Sequence, residues 1–272
     1  MTEFLLILGV IVLSFALRTL RWTPFRKMGV VGFLAAFFLT GYFLSGKIWV
    51  GAMLVSMWFL FPWIELLTRT RKMRLPVKKK LSSQAPPGAQ RFPELESMTA
   101  EIEAEGFEYV KDTGWKWQEN RQFFRFFYHP DKRVQVAICF TEQKHFSWAC
   151  LTLTARHSNG KVYRSTNIPF STPMKSAPGV ITRRDLYSST FPGFLGSHEE
   201  WFEGMGLEGS DLVPQTAGDI TDQLENENGS QILHNVKSGI ISVCENADTW
   251  RYSWRGLIYL YFQALKDFVK WC

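Results

Sequence analysis

FLLILGVIVLSFAL at Phe4–Leu17, MGVVGFLAAFFLTGYFLS at Met28–Ser45 and IWVGAMLVSMWFLFPWIELL at Ile48–Leu67 decide the architecture. A helix rises about 1.5 Å per residue and needs roughly 17–25 apolar residues to cross ~30 Å of hydrocarbon. The second and third runs meet that length. The first does so once extended to residues 2–20, with Arg18 snorkelling toward the headgroups. Met1-Thr2-Glu3 lacks the basic region that opens a secretory signal, and no small-x-small cleavage site precedes Arg18. The reading is therefore three retained transmembrane helices, about 2–20, 28–45 and 48–67, within a membrane region of residues 1–68.

Charge orients them. The first loop carries Arg18, Arg21, Arg26 and Lys27, the second only Lys47. After the third run come Arg69, Arg71, Lys72, Arg74, Lys78, Lys79 and Lys80. Positive loops stay on the cytoplasmic side. The expectation is a bacterial inner or plasma membrane, the N-terminus outside and everything after Leu67 in the cytoplasm. Trp22, Trp49 and Trp63 lie near the boundaries, as interfacial aromatics do. Residues 1–80 hold 12 of the 31 Lys/Arg but only two of the 25 Asp/Glu, a charge of +10; residues 81–272 hold 19 and 23, a charge of −4. A basic apolar front on an acidic back excludes a nucleic-acid-binding domain, whose excess cations would lie on the folded part.

Gly32, Ala36 and Thr40 form a small-residue stripe for close membrane-helix packing. Glu65, the one acid within the apolar runs, sits at the inner end of the third, four residues from Arg69, and reads as an ion-paired end rather than a proton relay. Residues 69–92 read as a basic, Pro-rich juxtamembrane linker. Its cations set topology and meet anionic headgroups, and Pro76, Pro86, Pro87 and Gly88 forbid a continuous helix.

Residues 93–272 read as a cytoplasmic α+β domain. Pro93 opens a helix that Gly106 ends. Alternation of Phe124, Phe126, Tyr128, then Val134 to Phe140, then Ala149 to Ala155 gives strands, and Asn159-Gly160 gives a hairpin turn. The expectation is an antiparallel meander over about 107–170. Residues 169–195, rich in Pro, Ser, Thr and Gly, read as a loop or strap. Helices follow from Ser197 and from Ser230. A long amphipathic helix near Thr249 to Trp271 closes the chain. It is expected to cover one sheet face, with Trp250, Trp254 and Tyr261 as candidates for a partner or bilayer surface.

Chemistry is sparse. Cys139, Cys150, Cys244 and Cys272 form no CxxC, and with five scattered histidines no zinc spacing arises, so no metal and no cofactor is expected. Gly204-Met-Gly206-Leu-Glu-Gly209 matches GxGxxG but follows a helix rather than a strand. His198 and Glu199 are the weak catalytic candidates, more simply explained as a capped helix start. The expectation is a non-catalytic accessory or scaffold subunit of a larger membrane protein complex, with membrane lipids and other membrane subunits as partners and no nucleic acid. The alternatives are a membrane-proximal enzyme using residues 169–200 with His198 and Glu199, and a membrane-tethered ligand or lipid sensor.

Overall fold

The computed structural model describes residues 2–20, 22–143, 146–216, 218–246 and 248–271, without the side chains of residues 23 and 269–271. Arg21 of the topology argument and Cys272 lie outside the described residues. The chain forms two compact units: Met1–Met73 with Arg251–Cys272, and Arg74–Trp250.

The first unit holds helices α1 (Thr2–Thr19), α2 (Thr23–Ser45) and α3 (Ile48–Thr68), joined by the C-terminal helix α7 (Trp254–Trp271). The first three are long and apolar enough to cross a membrane. Helix α2 starts five residues before the apolar run because Pro24 suits a first helical turn. It ends where Gly46 adopts φ +67° and donates its N–H to the Tyr42 carbonyl at 2.7 Å. Glycines let the helices touch. A Cβ on Gly29 would stand 2.7 Å from the Ser14 carbonyl oxygen of α1, and one on Gly51 2.6 Å from the Phe38 carbonyl oxygen of α2. Aromatic edges fill the remaining contacts, Phe15 to Phe33 at 5.7 Å and Phe37 to Trp58 at 5.1 Å.

The second unit is built on a seven-stranded, mostly antiparallel sheet in the order β2-β3-β4-β5-β6-β7-β8. Its strands are β2 (Ser82–Ser83), β3 (Glu108–Trp117), β4 (Asn120–His129), β5 (Val134–Glu142), β6 (Ser147–Arg156), β7 (Val162–Thr166) and β8 (Val180–Arg184). Period-two alternation gives the sheet two faces. Phe123, Phe127, Val136, Ile138, Leu151 and Leu153 face α4 (Leu95–Ala104) and α5 (Phe191–Gly204), forming the main core with Ile102, Phe191 and Phe194. On the other face, Phe126 and Ala137 pack against Ile220 of α6 (Asp219–Lys237). A smaller sheet joins β1 (Leu75–Pro76), β10 (Thr249–Tyr252) and β9 (Ile241–Val243) in the order β1-β10-β9.

Several expectations change. Residues 69–92 are not a free tether: Leu75 pairs with Trp250, and Ser82 with Gly114. The antiparallel meander β3–β7 falls where expected, while β8 was not expected: after residues 167–179 it adds to the sheet parallel to β7. Helix α5 begins at Phe191 under a Thr190 cap rather than at Ser197, with Pro192 in its first turn. Helix α6 starts at Asp219, with Gly229 tolerated inside it. The final amphipathic segment is a strand followed by a helix. Trp250 pairs in β10, and α7 packs on α3 rather than over the sheet, Tyr261 stacking on Trp63 at 4.9 Å. The aromatic stripe that suits a sheet face suits an aromatic-rich membrane helix equally, so periodicity alone could not choose between them.

Candidate functional site

Helix α5 turns His198 into the core and Glu199 outward, because successive helical residues are rotated by about 100°. The His198 Nδ1 lies 2.7 Å from the Ser165 Oγ of β7, and its ring packs on Phe202 at 5.0 Å. The imidazole is buried, and its Nε2 has no hydrogen-bond partner. Burial, reinforced by the Arg183 guanidinium, pushes its pKa down to about 4, so it is neutral at pH 7. Arg183 itself donates to the Ser197 carbonyl at 2.6 Å and to its Oγ at 2.9 Å. Glu199 is exposed and pairs with Lys132 at 2.7 Å. The two sequence-adjacent candidates therefore share no site. A base sealed under Trp201 and Phe202 reaches no substrate proton in this arrangement.

A polar grouping around Glu227 was not anticipated. On the α6 face, Glu227 accepts from Arg156 and from Arg164, each at 2.6 Å. Arg156 also donates to the Gln135 Oε1 at 3.1 Å. The sequence separates Glu227 from these arginines by more than sixty residues, so no local pattern announces the cluster. Nearby in the same sheet, Cys139 and Cys150 stand directly opposite each other on β5 and β6. Gln122 donates to the Cys139 sulfur at 3.3 Å. The Cys139 thiol is held below its usual pKa by the hydrogen bond from Cys150 and by Gln122, while burial opposes. Cys150, as the donor in that pair and buried, is pushed well up. Among the described residues, no group of three or more His, Cys, Asp or Glu is placed to hold a metal ion.

The basic run is distributed over several contacts. Arg69 pairs with Glu65 at 3.4 Å, and the Arg71 guanidinium lies 4.3 Å from the centre of the Trp254 ring. The Arg74 carbonyl accepts from the Trp117 indole at 3.0 Å. Lys79 sits over Trp115 at 4.5 Å, and burial lowers its pKa. Lys78, Lys79 and Lys80 line an open cleft of about 420 Å³ with Glu225 of α6. Of the small-residue stripe, Gly32 faces the Ser14 hydroxyl of α1, Ala36 is buried, and Thr40 donates to the Ala36 carbonyl.

Surface aromatics are a further feature. Phe146 is 51% exposed and stacks on Trp148 at 5.2 Å, and Trp148 meets Phe170, 44% exposed, at 6.0 Å. The trio sits where β6 begins and where the chain leaves β7. Trp250, by contrast, is buried, while Trp254 is exposed. Comparison of the chain with protein-family models, with curated proteins and with solved structures finds no match.

Proposed function

We propose that this chain is an accessory or scaffold subunit of a membrane protein complex, held by α1–α3 and acting through contacts of its sheet domain. The N-terminus lies outside, and the sheet domain lies in the cytoplasm, on the side of the cation-rich loops. The observation that carries this reading is the surface trio Phe146, Trp148 and Phe170: Phe146 stacks on the half-buried Trp148, Phe170 meets it edge-on, and both phenylalanines are exposed. Large rigid aromatics left in water are what binding hot spots are made of. The sealed, neutral state of His198 supports contact rather than acid–base work.

Purification in mild detergent, followed by mass spectrometry, tests the proposal. The wild-type chain should recover a second membrane protein in fixed stoichiometry. Phe146→Ala with Phe170→Ala should weaken that association by roughly tenfold or more, as loss of aromatic anchors does, with thermal unfolding unchanged. A lone wild-type monomer, or an unaffected complex in the double variant, would contradict it.

A further inference from the structure

Helix α7 ends beside the middle of α3, and the contacts between them run in opposite directions along the two chains. Arg71 covers Trp254, Trp63 stacks on Tyr261 and Trp58 packs on Phe268 at 5.5 Å. From Trp254 to Phe268 the helix advances about 20 Å, and Trp58 to Arg71 advances about as far. The two helices therefore lie antiparallel along that length. A helix crossing α3 at right angles would make one such contact, not three in register.

Helix α3 is one of the three apolar spans. Trp58 lies ten residues before its end at Thr68, about 15 Å, which is half of the hydrocarbon thickness. We infer that α7 is a re-entrant membrane helix: it enters beside the inner end of α3, runs through the inner leaflet and ends near the bilayer midplane, with acyl chains as the partner of its outer face. This rests on the membrane reading of α3.

Two observations fix the occupant. The face toward α3 presents Tyr261 and Phe268, while Ile258 and Phe262 are 48% and 56% exposed. Two large apolar side chains one helical turn apart suit hydrocarbon rather than water. The entry end agrees: Arg255 stands beside Trp254 at the level of Arg71, where headgroups lie. Lys266 is exposed deeper along the helix. Its stem points back toward the headgroups, but twelve residues of helix put it about 18 Å beyond Trp254, so Lys266 and the adjacent Asp267 require water or headgroups drawn inward at that depth. The segment is too short in apolar length to span, which is why hydropathy alone does not mark it.

The test uses the full-length chain in vesicles of phosphatidylcholine and phosphatidylglycerol, carrying Phe262→Cys, Val31→Cys or Tyr187→Cys. Val31 is exposed on α2, and Tyr187 is exposed on the sheet domain. A membrane-impermeant maleimide is given to both faces, and labelling is read at each peptide by mass spectrometry, which separates the native cysteines. Phe262→Cys and Val31→Cys should label roughly tenfold or more slower than Tyr187→Cys, since a thiol in hydrocarbon does not ionise, and detergent denaturation should equalise all three. Labelling of Phe262→Cys at the Tyr187→Cys rate with Val31→Cys protected overturns the re-entrant helix alone. Labelling of both overturns it together with the membrane reading. A nitroxide at Phe262 and at Ile258 gives the second measurement: collisions with oxygen should exceed those with a polar nickel chelate, more so at Phe262. Equal ratios would mean a helix lying flat, and silence to both reagents would mean a protein partner instead of lipid.

Discussion

His198 stores a pH dependence in the sheet domain. Its folded pKa of about 4 lies below the ordinary 6.5, so between those values the unfolded chain binds the extra proton. Stability contributed by the neutral, buried ring is fully present above about pH 6.5 and is lost as pH falls toward 4, to a limit of about 3 kcal/mol. Unfolding of the full-length protein followed across that window should show the loss, and His198→Gln, which binds no proton, should flatten it. An unchanged slope in the variant would place the titration elsewhere. Glu227 is the second residue of consequence. Glu227→Ala strands Arg156 and Arg164 in a largely buried setting and should cost about 3 kcal/mol, whereas Glu227→Gln keeps an acceptor and should cost less. Chemical denaturation of the two variants distinguishes them. Neither partner of His198 or Glu227 was legible in the sequence. The Ser165 hydroxyl and the two arginines come from strands whose register, not local spacing, brings them there.

At the scale of elements, glycine contacts set the separation of the membrane helices. Gly51→Leu should push α3 off α2, because its Cβ already meets backbone at 2.6 Å, and should lower the thermal midpoint in detergent by the equivalent of about 1–3 kcal/mol. Gly9→Leu, with nothing within 4 Å of its added Cβ, should leave it unchanged. Equal effects would deny the close approach. The apolar runs, the alternating strands of 122–156 and the Asn159-Gly160 turn were readable because burial of one face imposes a single period. Where two forces share a segment, reading failed. Gly229 and a polar sequence hid the first half of α6, whose ordering rests on Ile220 and on the Glu227 ion pairs. The Pro-rich stretch 169–195 hid β8, because a parallel edge strand of five residues shows too little alternation to detect. Trp250 fitted a helical stripe by count, yet pairing with Leu75 of β1 draws it into a strand.

For the whole molecule, the sheet unit is an insertion within the helical unit. The chain leaves the first unit at Met73 and returns at Arg251. Its outgoing and incoming strands are paired, Leu75 with Trp250 and Pro76 with Thr249, and the Val77 N–H donates to the Asp248 carbonyl at 2.9 Å. The two ends of the sheet unit are thereby held together. In the proposed orientation the cation-rich loops put this domain on the cytoplasmic face. Limited proteolysis of the full-length chain in sealed membranes of either orientation, after an alkaline carbonate wash, tests that assignment directly. The account predicts that the chain stays in the membrane, that residues 74–250 are cut only from the face carrying Arg26 and Lys27, and that the Lys47 loop is reached only from the other. Cleavage of the sheet domain from the Lys47 face, or release of the chain by carbonate, would contradict it.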